Sequence, residues 1–152
     1  MKKFLYMAMA LLVAMTSFTA CGDDDKDEGG IDISGGVMKP SSTSISEKGN
    51  QLIFTAVWTN RFTETHTATF NDSDQLTSYL FDITYPTSSQ AEAAWQEYMK
   101  SPDASTIGLS RHGNTITQDF TADYQGIDMA TMRIVFESLQ AQYEKGLDVG
   151  LD

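Results

Sequence analysis

The sequence predicts an α+β fold, a single antiparallel sheet with two amphipathic helices packed on one of its faces. Three observations carry this. From Leu52 to Tyr85 the chain alternates with period two and is rich in Thr, Phe, Tyr and Ile, as half-buried strands are. Two later segments, Ser89 to Lys100 and Asp128 to Lys145, instead repeat their apolar residues at helical spacing. Short breaks bearing Asn, Asp or Gly join the strands as hairpins.

Taken in order, Thr43–Ser46 is expected to add an edge strand through a Lys48-Gly49-Asn50 turn. Leu52–Thr59 follows as a strand of β-branched and aromatic residues, and Asn60-Arg61 supplies the next turn. Phe62–Phe70 returns with Thr63, Thr65, Thr67 and Thr69 all pointing one way. Asn71-Asp72-Ser73-Asp74 is turn chemistry, because these side chains can satisfy their own backbone. Leu76–Tyr85 then places Tyr79, Phe81, Ile83 and Tyr85 on one face, and Pro86 ends it.

Ser89-Gln90-Ala91-Glu92 reads as a capping box, with Ala91, Ala94, Trp95, Tyr98 and Met99 along one helical face. Ser101-Pro102 stops that helix near Lys100. Thr106–Arg111 and Asn114–Tyr124 form a second hairpin around His112-Gly113, with Ile107, Leu109, Ile116, Phe120, Ala122 and Tyr124 on the apolar side. The last helix is expected from an Asp128 N-cap to Lys145, its buried stripe Met129, Met132, Phe136, Leu139 and Tyr143, its stop Gly146. The segments Leu76–Lys100 and Asn114–Lys145 share a layout of strand, short turn and amphipathic helix. A domain of this size, 43–152, is large enough to bury roughly 60–70% of its unfolded surface.

The amino terminus reads as an address. Lys2 and Lys3 precede a charge-free, mostly apolar run from Phe4 to Ala20, so residues 1–20 are expected to be a signal peptide. The run is short for a permanent membrane span, which needs about 20 apolar residues. Phe18-Thr19-Ala20-Cys21 resembles the lipobox of bacterial lipoproteins, with Phe18 where Leu is commonest. That resemblance implies cleavage before Cys21 and lipidation of its thiol, which would anchor the chain through acyl groups worth about 0.8 kcal/mol per buried methylene. Gly22-Asp23-Asp24-Asp25-Lys26-Asp27-Glu28 resembles the acidic export signal of surface lipoproteins of Bacteroidota, and implies an outer-membrane, surface-exposed location. An acidic linker holding the domain off an anionic membrane is the other reading of the same run. Residues 21–42 read as a tether, and the Gly-, Asp- and Ser-rich stretch with little apolar pattern runs on to about Asn50, some 30 flexible residues that reach roughly 30 Å. The element order, with Thr121-Ala122-Asp123-Tyr124 before the last helix, resembles the YehR-like family of small bacterial lipoproteins, which implies no particular activity.

Composition narrows the function classes. The 152 residues carry 10 Lys+Arg, 21 Asp+Glu and one Cys, a formal charge of −11. Loss of Lys2 and Lys3 with the signal leaves 8 basic against 21 acidic side chains, or −13. Such a balance removes the attraction that non-specific nucleic-acid binding depends on. One cysteine rules out a disulfide scaffold and a zinc site of several thiolates.

Candidate chemistry is sparse. His66 in mid-strand and His112 in a turn lack the further donors a metal or acid–base site uses, so no metal and no cofactor is expected. Asp119 and Asp123, read as one strand face, would stand about 13 Å apart, beyond glycosidase geometry. Asp72 and Asp74 hint at calcium but lack the EF-hand spacing and its terminal Glu. No nucleophile elbow, phosphate loop or dinucleotide fingerprint occurs. Trp95 and the Met129/Met132 pair are expected in the core. Trp58, beside a turn, joins Thr63, Thr65, Thr67 and Thr69 as the expected binding surface. The favoured reading is a non-enzymatic, lipid-anchored envelope module that binds a protein or a glycan. The alternative is a small glycan-active hydrolase with carboxylates from different strands.

Overall fold

The structure, a computed structural model, describes residues 37–100 and 108–148. Its main unit, Lys39–Gly146, is built on six antiparallel strands. These are β2 (Ser42–Lys48), β3 (Gln51–Trp58), β4 (Phe62–Phe70), β5 (Leu76–Thr84), β6 (Leu109–His112) and β7 (Thr115–Asp119), in the order β2-β3-β4-β5-β7-β6. Two helices complete it, α1 (Ser88–Tyr98) and α2 (Met129–Lys145). Separately, β1 (Val37–Met38) and β8 (Leu147–Asp148) pair as a two-residue antiparallel ribbon.

Local chemistry sets the strand pairings. Lys48 lies opposite Gln51, leaving only Gly49-Asn50 as the loop, and Gly49 takes a φ of 61°. That left-handed value is what a two-residue hairpin demands of its loop, and glycine adopts it without steric cost. Trp58 lies opposite Phe62 across the three-residue loop Thr59-Asn60-Arg61, with Asn60 at φ 60° and the Arg61 amide donating to the Trp58 carbonyl at 2.9 Å. Between β4 and β5, Asn71 Oδ1 accepts from the amides of Ser73 and Gln75, both at 3.0 Å. A bulge between Thr69 and Phe70 then brings Phe70 opposite Leu76.

One face of the sheet is apolar. Leu52, Phe54, Ala56 and Trp58 of β3, Phe62, Ala68 and Phe70 of β4, Tyr79, Phe81 and Ile83 of β5, and Ile116 of β7 are all buried. Both helices cover this face. Phe136 of α2 stacks near Phe54 at a centroid distance of 6.0 Å, and Tyr143 meets Trp58 edge-on at 5.7 Å. On α1, Glu92 pairs with Arg111, which stands opposite the buried Ile116. Aromatic pairs of this kind add about 0.5–1.5 kcal/mol each beyond their buried area.

The helix ends and faces refine the sequence reading. Helix α1 starts two residues early, because Thr87 rather than Ser89 closes the capping box: its hydroxyl accepts from the Gln90 amide at 3.2 Å, and Gln90 Oε1 accepts from the Thr87 amide at 3.2 Å. Its buried stripe is Ala91, Ala94 and Tyr98. Trp95, expected in the core, sits on the helix shoulder and is only half-buried, and Met99 is 47% exposed. Helix α2 has the expected caps, with Asp128 Oδ1 accepting from the Thr131 amide at 2.7 Å and Gly146 at the C-cap. Met132, Phe136 and Tyr143 are buried there, with Met129 and Leu139 at the edge of the stripe.

The expected strand Asn114–Tyr124 is shorter than its pattern suggested. Asp119 Oδ1 accepts from the Thr121 amide at 2.8 Å, and Thr121 Oγ1 accepts from the Tyr79 amide at 3.0 Å. These side-chain bonds replace the ladder, and Thr121–Tyr124 continues as a 3-10 turn. Phe120 remains buried, whereas Ala122 is exposed. Ile107 lies outside the described residues.

Candidate functional site

The face turned away from the helices is the candidate site. Cross-strand register places side chains on it in rows. One row runs Ser42, Val57, Thr63, Thr84, Thr115 and His112, and the next runs Ser44, Thr55, Thr65, Asp82, Thr117 and Ser110. A third runs Ser46, Ile53, Thr67, Leu80 and Asp119, and Lys48, Gln51, Thr69 and Ser78 close the face. Thr63, Thr65, Thr67 and Thr69 therefore do share one face, and each is half-buried by its neighbours. No described helix packs on them.

The hydroxyls on this face divide into satisfied and open ones. Thr117 donates to Asp82 Oδ1 at 2.5 Å, Thr84 and Thr115 meet at 3.1 Å, and Gln51 Nε2 donates to Thr69 at 3.3 Å. The hydroxyls of Thr55, Thr63, Thr65 and Thr67 make no hydrogen bond within the described residues. A hydroxyl supplies one donor and two acceptor positions, so this row presents unfilled hydrogen-bonding capacity to a partner or to water.

Trp58 is not part of that surface. Odd and even positions on a strand face opposite ways, and Trp58 belongs with Phe54 and Ala56 on the helix-covered side, at 4% exposure. Its ring packs against Phe62 and Tyr143 at centroid distances of 5.7 Å.

The same alternation buries two ionisable side chains. Glu64 and His66 stand between the outward threonines, so they point into the core at 2% and 1% exposure. Burial pushes the Glu64 carboxyl up to about 7, against the opposing effect of the Tyr143 hydroxyl and the Trp58 indole N–H beside it. Those neighbours are close enough to act on the carboxyl, yet Oε2 has no well-aligned hydrogen-bond partner. Burial drives the His66 imidazole down to about 3, so the ring is neutral. Its Nδ1 lies 2.9 Å from the Tyr79 hydroxyl, and its ring lies 4.5 Å from that of Phe81. His66 is thus a core side chain, with His112 exposed on the opposite face.

A cleft of about 320 Å³ opens at one end of the sheet. It is a shallow, open depression lined by the β3–β4 turn, the last residues of β5 and the β6–β7 turn, with Thr59, Asn60, Thr63 and Thr84 beside Phe62, Tyr85 and Pro86. Its described lining contains Arg61 and no carboxylate.

The acidic candidates stand apart. Asp119 ends β7 and Asp123 lies in the 3-10 turn, so they do not share a strand face as expected. Asp82 and Asp119 are diagonal neighbours on the open face, about 7–8 Å apart at the backbone. They lie away from the cleft, and hydrogen bonds from Thr121 hold Asp119 below its usual range. A glycosidase acid needs the opposite shift. Asp74 Oδ1 accepts from the Met129 amide at 3.2 Å, which ties its turn to the start of α2. Among the described residues no three His, Cys, Asp or Glu converge as metal ligands, and no helix is long and apolar enough to cross a membrane. Cys21 lies outside the described residues.

Neither a known family, nor a curated protein, nor a solved structure matches this chain.

Two features escaped the sequence reading. The burial of Glu64 was implicit in the alternation, because threonines facing out require their neighbours to face in with Phe62 and Phe70. The cleft had no comparable signal, since it joins three segments distant in sequence.

Proposed function

We propose that this chain is a lipid-anchored protein of the bacterial outer membrane, surface-exposed, that binds a protein or glycan partner through its open sheet face and has no catalytic role. The observation that carries the binding reading is the row Thr55, Thr63, Thr65 and Thr67, whose hydroxyls make no hydrogen bond within the described residues, on a face that no described helix covers. A hydroxyl bonded only to water can exchange that water for a ligand group that reproduces its hydrogen bonds. The anchoring reading rests on Phe18-Thr19-Ala20-Cys21 and the acidic run that follows it. An N-terminal anchor and tether suit a module that has to reach partners outside the membrane.

Two experiments test the two halves. Metabolic labelling with palmitate should mark the wild-type chain and leave Cys21→Ser unlabelled, and equal labelling of both would remove the anchor. Capture of envelope and host-type components by the full chain should be lost in the Thr65→Lys, Thr67→Lys variant. Undiminished capture would place binding elsewhere.

A further inference from the structure

We propose that the cleft at the β3–β4 turn is a binding site for the end of a neutral glycan, whose chain continues from Thr63 along the threonine row. This rests on the reading of the open face as a binding platform, and adds the class of ligand and its point of anchorage. Size is the first argument: a volume of about 320 Å³ is at the small end for ligand pockets, suited to one or two sugar rings.

Chemistry is the second. Phe62 and Tyr85 form the buried floor, and the exposed ring of Pro86 supplies an apolar surface on which the C–H face of a pyranose can lie. In the same lining, Thr59, Asn60 and Thr63 bring two hydroxyls and a carboxamide that make no side-chain hydrogen bond within the described residues. Vicinal sugar hydroxyls are both donors and acceptors, and such groups match them. The described lining has no carboxylate, and its cation, Arg61, already takes part in an interaction within the chain, so charge does not select an ionic ligand.

Continuity is the third argument. Thr63 and Thr84 are cross-strand partners that belong both to the cleft lining and to the open face. From Thr63 the open hydroxyls of Thr65 and Thr67 recur every second residue, about 7 Å apart. A glycan leaving the cleft along β4 therefore meets a hydroxyl at each step.

The test is calorimetric titration of the full chain in detergent with cellohexaose, maltohexaose, mannohexaose and chitohexaose, with hexagalacturonate as the anionic comparator. At least one neutral probe should bind more tightly than about 1 mM and better than hexagalacturonate. The double variant Asn60→Gly, Thr63→Val should weaken that binding about tenfold. Glycine suits the φ of 60° at Asn60 and valine matches threonine in shape, so the fold, checked by circular dichroism, should persist. No neutral binding at that level, or a preference for hexagalacturonate, overturns the ligand class. Binding that survives the cleft variant but is lost in Thr65→Lys, Thr67→Lys overturns the cleft as anchor and leaves the open face standing. Binding that survives both variants overturns the cleft and the face together.

Discussion

Glu64 and His66 sit two residues apart on the buried side of β4, and their titrations should oppose each other. For Glu64 the folded pKa of about 7 lies above its ordinary value of 4.5, so the folded state holds the proton more tightly than the unfolded chain. Its contribution is complete below 4.5 and is lost as pH rises to 7, at about 1.4 kcal/mol per pH unit and about 3 kcal/mol in all. For His66 the folded pKa of about 3 lies below 6.5, so the unfolded chain takes up the proton first. That contribution is complete above 6.5 and is lost as pH falls, with the same slope and the opposite sign. Between pH 4.5 and 6.5 the two should cancel, giving this pair a flat profile. Glu64→Gln keeps the shape and removes one slope. Urea denaturation at pH 4.5, 5.5 and 6.5 should then show the variant gaining about 2 kcal/mol on the wild type across the window, a large change against typical stabilities of about 5–15 kcal/mol. Exposed carboxylates contribute equally to both proteins and drop out of the difference. Profiles that stay parallel to within about 0.5 kcal/mol would refute the reasoning.

The core and caps give three more expectations. Phe136→Ala should destabilise by about 3–5 kcal/mol in denaturant titration, and Trp95→Ala by less than half as much, because only the first side chain is fully enclosed; equal losses would mean that α1 presents a different face. Asp128→Ala should lower the denaturation midpoint through loss of the bond to the Thr131 amide, measured by the same titration, and an unchanged midpoint would show the cap to be idle. Thr65→Lys with Thr67→Lys should shift stability by no more than about 1 kcal/mol, since both side chains lie off the core, and unfolding of that variant would show that the open face supports the fold.

Most of the fold was legible because it depends on local patterns. The period of two across Phe62–Phe70 and the apolar set Tyr79, Phe81, Ile83 and Tyr85 specify both strands and their inward faces without any knowledge of partners. Errors arose where a side chain competed with the backbone. Thr87 capped α1 ahead of the Ser89 pattern, and Asp119 with Thr121 turned β7 into a 3-10 segment where alternation alone extended the strand. Trp95 was misplaced because a helical stripe of Ala91, Ala94 and Tyr98 is narrow, and one residue's step of 100° carries the ring to its margin. The sequence shows His66 in mid-strand without further metal or acid–base donors, and its burial makes its removal a matter of core stability. The candidate face was legible as a row of threonines. The cleft was not, because Thr59–Thr63, Thr84–Pro86 and Asn114 meet only through the β4–β5–β7 pairing.

The two-sidedness of β4 has an evolutionary consequence. Its even-numbered positions are locked into the interior, whereas its odd-numbered ones answer only to whatever lies outside. Substitutions at 63, 65, 67 and 69 should therefore cost little in folding, while those at 62, 64, 66, 68 and 70 should cost much more. A saturation library read for abundance alone should recover tolerance in every second column of this strand, and one read for partner capture should fill in the gaps. If the open face is the binding platform, its recognition could be rewritten on an unchanged scaffold.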